Sequence, residues 1–87
     1  MILPEHLTIL EVAEWKDRFL SEIDSAAFFE LDVSGMKRVD TAGMQLLLAV
    51  KKTLQERDKD IKWVGHSESL NHSAQELGLL EVLMLPE

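Results

Sequence analysis

The side chains best suited to chemistry lie together in Asp32-Val33-Ser34-Gly35-Met36-Lys37-Arg38-Val39-Asp40-Thr41-Ala42-Gly43, where an apolar strand runs towards a helix. A carboxylate, a small hydroxyl and a glycine at a helix start combine free backbone N–H groups with a side-chain oxygen at the surface. In an α/β sheet this is also the end at which ligands and partners dock. The plainest role for Asp40 or Thr41 is to cap the following helix, worth about 1 kcal/mol. The richer role is recognition.

Other reactive side chains are less well arranged. The chain has no cysteine, which excludes disulfides, iron–sulfur clusters and thiol catalysis. His66 and His72 are six apart, which is not a ligand spacing, so no metal site is expected. His6 reads as a solvated surface residue. Ser67, Ser69 and Ser73 lie near His72 but read as capping and surface residues. No nucleophile elbow and no glycine-rich phosphate loop is present, so neither an enzyme nor a cofactor is expected. Asp32 and Asp40 have some likeness to the acidic pair of a phosphorelay receiver, but the chain is too short for that fold and no lysine ends a fourth strand. Trp15 and Trp63 read as core.

The positioning elements follow from periodicity. Thr8 and Glu11 have the spacing of a capping box, and Leu7 and Val12 that of its hydrophobic staple. They open a helix from about residue 9 to residue 23, whose apolar face carries Val12, Trp15, Phe19, Leu20 and Ile23. Residues 1–3 form a short strand that ends at Pro4, which has no N–H to give to a ladder. Phe29, Leu31 and Val33 alternate with Glu30 and Asp32, a strand pattern. A second helix spans about 42–57, and residues 61–64 form a strand closed by Gly65. Ser67 N-caps a third helix that stops at Gly78. Residues 79–85 fit either a helical turn or a strand, and Pro86 ends them. Strands alternating with helices at these distances indicate α/β with a mainly parallel sheet.

Composition narrows the class. Eighty-seven residues make one domain, residues 1–87, with a small core. The chain is 46% hydrophobic and 29% charged, as in ordinary globular domains. Sixteen acidic against nine basic residues give a net charge of −7, which repels phosphate backbones and argues against nucleic acid as partner. The longest apolar run, residues 46–50, is far short of the roughly 20 residues of a membrane helix. Without a basic segment leading into an apolar one, no signal peptide is expected. The expectation is a cytoplasmic domain with no direct membrane insertion.

The Asp32–Gly43 stretch resembles the signature of the STAS domain, the fold of bacterial anti-sigma factor antagonists. The family pattern is Asp-Leu-Ser, a spacer with one apolar residue, then an apolar residue and Asp-Ser-Ser-Gly opening a helix. Asp32, Val33 and Ser34 match its first part and Met36 the spacer. Val39, Asp40, Thr41 and Gly43 match the second part, followed by the family-like Met44-Gln45-Leu46-Leu47-Leu48. The resemblance continues through the strand at 61–65 and the helix ending at Leu77-Gly78-Leu79. It implies an α/β STAS fold: a small mixed or mainly parallel four-stranded sheet with helices packed on it, here with the first family strand absent. It also implies a non-enzymatic protein-binding module. In the family, the hydroxyl after the aspartate accepts phosphate from a kinase that is also the anti-sigma factor. Carried across, the phosphoacceptor is Thr41, next to Ala42 where the family has a second serine. The implied partner is that kinase. The alternative is a constitutive STAS subunit, bound to the ATPase of a lipid-transport ABC complex or to a chemotaxis protein, with Thr41 as an unmodified interface contact.

Helix geometry adds an expectation about the binding face. At 100° per residue, Gly43, Leu46, Leu47, Val50 and Leu54 cluster towards the sheet, leaving Thr41, Met44, Gln45, Leu48 and Lys52 outward. Met44 and Leu48 should then be an exposed apolar pair on a partner surface beneath Thr41. The expected partner-binding set is Asp40, Thr41, Gly43, Met44, Gln45 and Leu48, with Lys37 and Arg38 near enough to accommodate a phosphate. An absent first strand would leave one sheet edge open to weak homodimerisation.

Overall fold

In the computed structural model the described residues are 1–24 and 28–85. The Pro86 stop lies outside them. The order is β1 (His6–Leu7), α1 (Val12–Glu22), β2 (Phe28–Asp32), β3 (Arg38–Val39), α2 (Thr41–Glu56), β4 (Asp60–Val64), α3 (Glu68–Glu76) and α4 (Leu80–Leu83). The α/β alternation is as the sequence indicates, and the ambiguous 79–85 segment resolves as a short helix.

Among the described residues all strand pairing is parallel, in two ladders. β2 pairs with β4, with Leu31 opposite Trp63, and β1 pairs with β3, with Leu7 opposite Val39. Residues 1–3 run along the other side of β2. Asp32 N–H donates to Met1 O, and Leu3 N–H to Asp32 O, both at 2.9 Å, while Val33 N–H turns the opposite way to Val64 O. β2 is therefore central. The sheet edge expected to be open is held by residues 1–3 through the single bridge Ile2–Asp32, in place of a full first strand. The chain then breaks at Pro4 and resumes as β1, with Glu5 O accepting from the N–H groups of Lys37 and Arg38.

The two ladders stay separate and do not form one four-stranded sheet, and serine hydroxyls occupy the free side of the β3 segment. Ser67, Ser69 and Ser73 donate to the carbonyls of Met36, Lys37 and Val39 at 2.8, 2.8 and 3.2 Å. The hydroxyls read as capping and surface groups thus take the place of a neighbouring strand. Ser67 also caps α3 as expected, accepting from Leu70 N–H at 3.1 Å.

Burial follows the pleat. Phe29, Leu31, Val33 and Ile61 are buried, while Glu30 and Lys62, opposite each other and 4.0 Å apart at their charged ends, are exposed. One face of the β2–β4 ladder is therefore covered by helices and the other is wet. The core under the helices includes Leu7, Phe19, Leu47, Leu54, Leu70 and Leu83. Trp15 is buried, and Trp63 is half-buried, donating from Nε1 to Leu83 O at 2.9 Å. Lys51 lies among the apolar side chains of α2, 1% exposed, with its ammonium on the Asp60 carboxylate.

α1 starts later than its periodicity indicates. Half of the Thr8–Glu11 box forms, with Glu11 Oε1 accepting from Thr8 N–H at 2.9 Å and from Thr8 Oγ1 at 2.7 Å, while the Glu11 N–H goes to Thr8 O and not to the Thr8 hydroxyl. It closes a turn before the helix, so Ile9 and Leu10 lie in that turn, 66% and 86% exposed.

Candidate functional site

Asp40 leads α2 in extended backbone and caps it, accepting from Gly43 N–H on Oδ1 at 2.9 Å. Its other oxygen, Oδ2, accepts from Ile9 N–H at 2.9 Å. One carboxylate thus fastens the β1–α1 turn to the start of α2. The bond from Gly43, with further backbone donors at Ile9 and Ala42, holds the Asp40 carboxyl below its ordinary range. Asp32 acts similarly one turn of chain earlier: its Oδ1 accepts from Ser34 N–H and Ser34 Oγ at 2.9 and 2.7 Å, which lowers its pKa. Both signature aspartates are therefore ionised and committed to shaping loops.

Gly43 is a packing residue. A Cβ built on it would stand 2.0 Å from Leu7 O and 2.9 Å from Val39 Cγ2, so only glycine lets α2 approach the β1–β3 ladder this closely.

The expectation of an exposed Met44–Leu48 pair is overturned. Met44 is 0% exposed and Leu48 is half-buried against the core. The buried arc of α2 runs through Gly43, Met44, Leu47, Val50, Lys51 and Leu54. It is rotated towards Met44 and away from Leu46, which is only half-buried. The cause is position: α2 packs against α1, β4, α3 and α4, so a face assigned to water is covered by the C-terminal helices. Met44 and Gly43 are not surface contacts.

Thr41 and Gln45 remain outward on α2 and are exposed. A crevice of about 220 Å³ beside Thr41 is lined by Val39, Asp40, Thr41, Ser73, Glu76 and Leu77. Leu77 is 43% exposed, and the Glu76 carboxylate is 3.0 Å from His72 Nε2. Lys37 and Arg38 do not line it. Lys37 pairs with Glu5 at 3.6 Å, and Arg38 lines a separate crevice with Ile9, Leu10 and Glu11 on the far side of Asp40. Leu77, Glu76, Ile9 and Leu10 escape sequence reasoning. Ile9 and Leu10 look like helix residues, and the pairing of α3 with the start of α2 is non-local. No group of histidine and acidic residues fit to hold a metal occurs among the described residues, and none of their helices is long and apolar enough to cross a membrane.

The family described as "Mlab, STAS domain" matches residues 2–86. No curated protein matches the chain. Among solved structures, the crystal structure of a sulfate transporter family protein from Wolinella succinogenes is similar over 95% of this chain and 68% of that one, with a TM-score of 0.75 and 18% sequence identity. That likeness concerns the fold.

Proposed function

The chain belongs to the STAS domain family, whose members are protein-interaction modules and generally non-enzymatic, and on that premise we propose that it is a non-catalytic subunit that docks constitutively on a partner protein through Thr41. The observation that carries this reading is the surroundings of the Thr41 hydroxyl. Its crevice is lined by two carboxylate residues, Asp40 and Glu76, and by no lysine or arginine. A phosphoryl group would bring about −1.5 to −2 charge beside them; the N-terminus of α2 favours an anion, but the two carboxylates repel it and no lysine or arginine lines the crevice to pair it. A neutral hydroxyl beside exposed Leu77 instead offers one directional hydrogen bond and an apolar contact. Of the settings the resemblance implies, a constitutive subunit, such as one on a cytoplasmic ATPase of a lipid-transport complex, fits this chemistry. An antagonist switched by phosphorylation fits it less well.

Thr41→Ala and Thr41→Glu, titrated against the partner recovered by affinity capture, test the reading. In the constitutive docking mode, Thr41→Ala leaves a partner group unpaired. Binding then weakens by about 1–3 kcal/mol, roughly five- to 150-fold, with the fold intact. Full-strength binding by Thr41→Ala, with only Thr41→Glu and a kinase-treated wild type weakened, would overturn it in favour of the phospho-switch.

A further inference from the structure

The turn between β1 and α1 holds two large aliphatic side chains in water, and it holds them firmly. Ile9 N–H is bonded to the Asp40 carboxylate at 2.9 Å, Leu10 N–H to Thr8 Oγ1 at 3.3 Å, and Thr8 to Glu11. A turn fixed in this way gives up little conformational entropy when it docks. Directly beside it, a groove of about 450 Å³ runs between α1 and α2. Phe19, Ile23 and Val50 line its buried part, Leu46 and Ala42 line the α2 side, and Lys16 is the only charged lining residue among the described residues. The groove extends from Val12 to Ile23, about 16 Å at 1.5 Å per residue. A convex apolar turn and a concave apolar groove thus adjoin on one surface.

A two-fold axis presents one patch to itself, so adjoining knob and socket are self-complementary. We infer that the occupant of the groove is a second copy of this chain, each copy seating its Ile9–Leu10 turn between α1 and α2 of the other. Charge agrees locally: the turn ends on Glu11 and the groove carries Lys16. A few aliphatic side chains cover less than the roughly 800 Å² per partner of a standard interface, so the association is weak and concentration-dependent. Each copy carries −7, so added salt tightens the dimer by screening the long-range repulsion. The surface does not include Thr41, and its test needs no partner, so it stands or falls apart from the docking proposal.

Sedimentation velocity of the purified chain from about 10 µM to about 1 mM, at low and high salt, reads the association directly. The expected result is a dimer fraction that rises with concentration and with salt, and that falls at least tenfold in association constant for Leu10→Ser. Because the chain lacks cysteine, crosslinking can be specific. An oxidised mixture of Leu10→Cys and Leu46→Cys copies should give a mixed disulfide dimer faster than either variant alone. A strict monomer at the highest concentration, a dimer indifferent to Leu10→Ser, or no preferential mixed crosslink would each overturn the inference.

Discussion

Gly43→Ala separates packing from recognition at the start of α2. Helix propensity alone favours the change by about 1 kcal/mol. The structure opposes it: the new Cβ would stand 2.0 Å from Leu7 O, roughly 1.5 Å inside ordinary contact of about 3.5 Å. The obstacle is backbone in a β1–β3 ladder that is itself held by α3 hydroxyls, so no side chain can swing aside. α2 must move as a body, loosening the Asp40–Gly43 cap and its contact with Val39. Overpacking of this kind costs about 1–3 kcal/mol, and a lost cap about 1 more. Net destabilisation should be about 2 kcal/mol, a fall in melting temperature of about 8–16 °C for a domain this size. Urea denaturation followed by tryptophan fluorescence measures it. An unchanged or raised midpoint, with the slope preserved, would refute the close-approach argument and return Gly43 to the list of surface contacts.

Two further predictions concern the ionised groups. Asp60→Asn removes the only described counter-charge of a lysine that is 1% exposed, and should cost about 1–3 kcal/mol, below the cost for a fully buried pair because Asp60 is itself half-exposed, whereas Lys51→Met keeps the volume and should cost less; chemical denaturation of both variants checks the asymmetry. Glu11, Asp32, Asp40 and Asp60 all have folded pKa values below their ordinary ones, by bonds from Thr8, Ser34, Gly43 and Lys51 respectively. Lowered carboxyl pKa values stabilise the fold above the unfolded values near pH 4 and lose that contribution as pH falls through the folded ones. Stability should therefore be flat from pH 7 to about 5 and decline below about 4, and a decline that begins near pH 6 would refute this account.

Local chemistry in this chain was legible from sequence, whereas non-local neighbours were not. The Thr8–Glu11 box and the Asp40 and Ser67 caps involve residues three apart, so their spacing is their geometry. The strand alternation of Phe29, Leu31 and Val33 was readable because only one face of that ladder is covered. Met44 was misread because a helical wheel assumes one neighbour, while α2 is enclosed by α1, β4, α3 and α4. Lys51 gave no sign of burial, since its partner Asp60 follows a helix end and a turn. Ser67 is a cap and Ser69 and Ser73 share a helix face four residues apart, but nothing local shows what that face meets, a row of carbonyls more than 30 residues earlier.

The same distinction bears on what the signature stretch does. Asp32 is spent on the Ser34 turn, Asp40 on the α2 cap and the Ile9 amide, Gly43 on the approach to Leu7, and Met36, Val39 and Met44 on the core. These residues specify the backbone of the strand-to-helix corner, and any chain needing that corner has reason to carry them whatever it binds. Thr41 differs, because it is outward, it is not required for the cap that Asp40 already supplies, and half of its crevice is built by Ser73, Glu76 and Leu77, in and just after α3 and outside the signature. The recognisable motif therefore encodes the platform, and in the proposed docking mode the partner chemistry sits in Thr41 together with Glu76 and Leu77. It follows that exchanging Glu76 and Leu77 should alter partner choice without disturbing the fold, while exchanging Asp40 or Gly43 should disturb the fold before any partner is met.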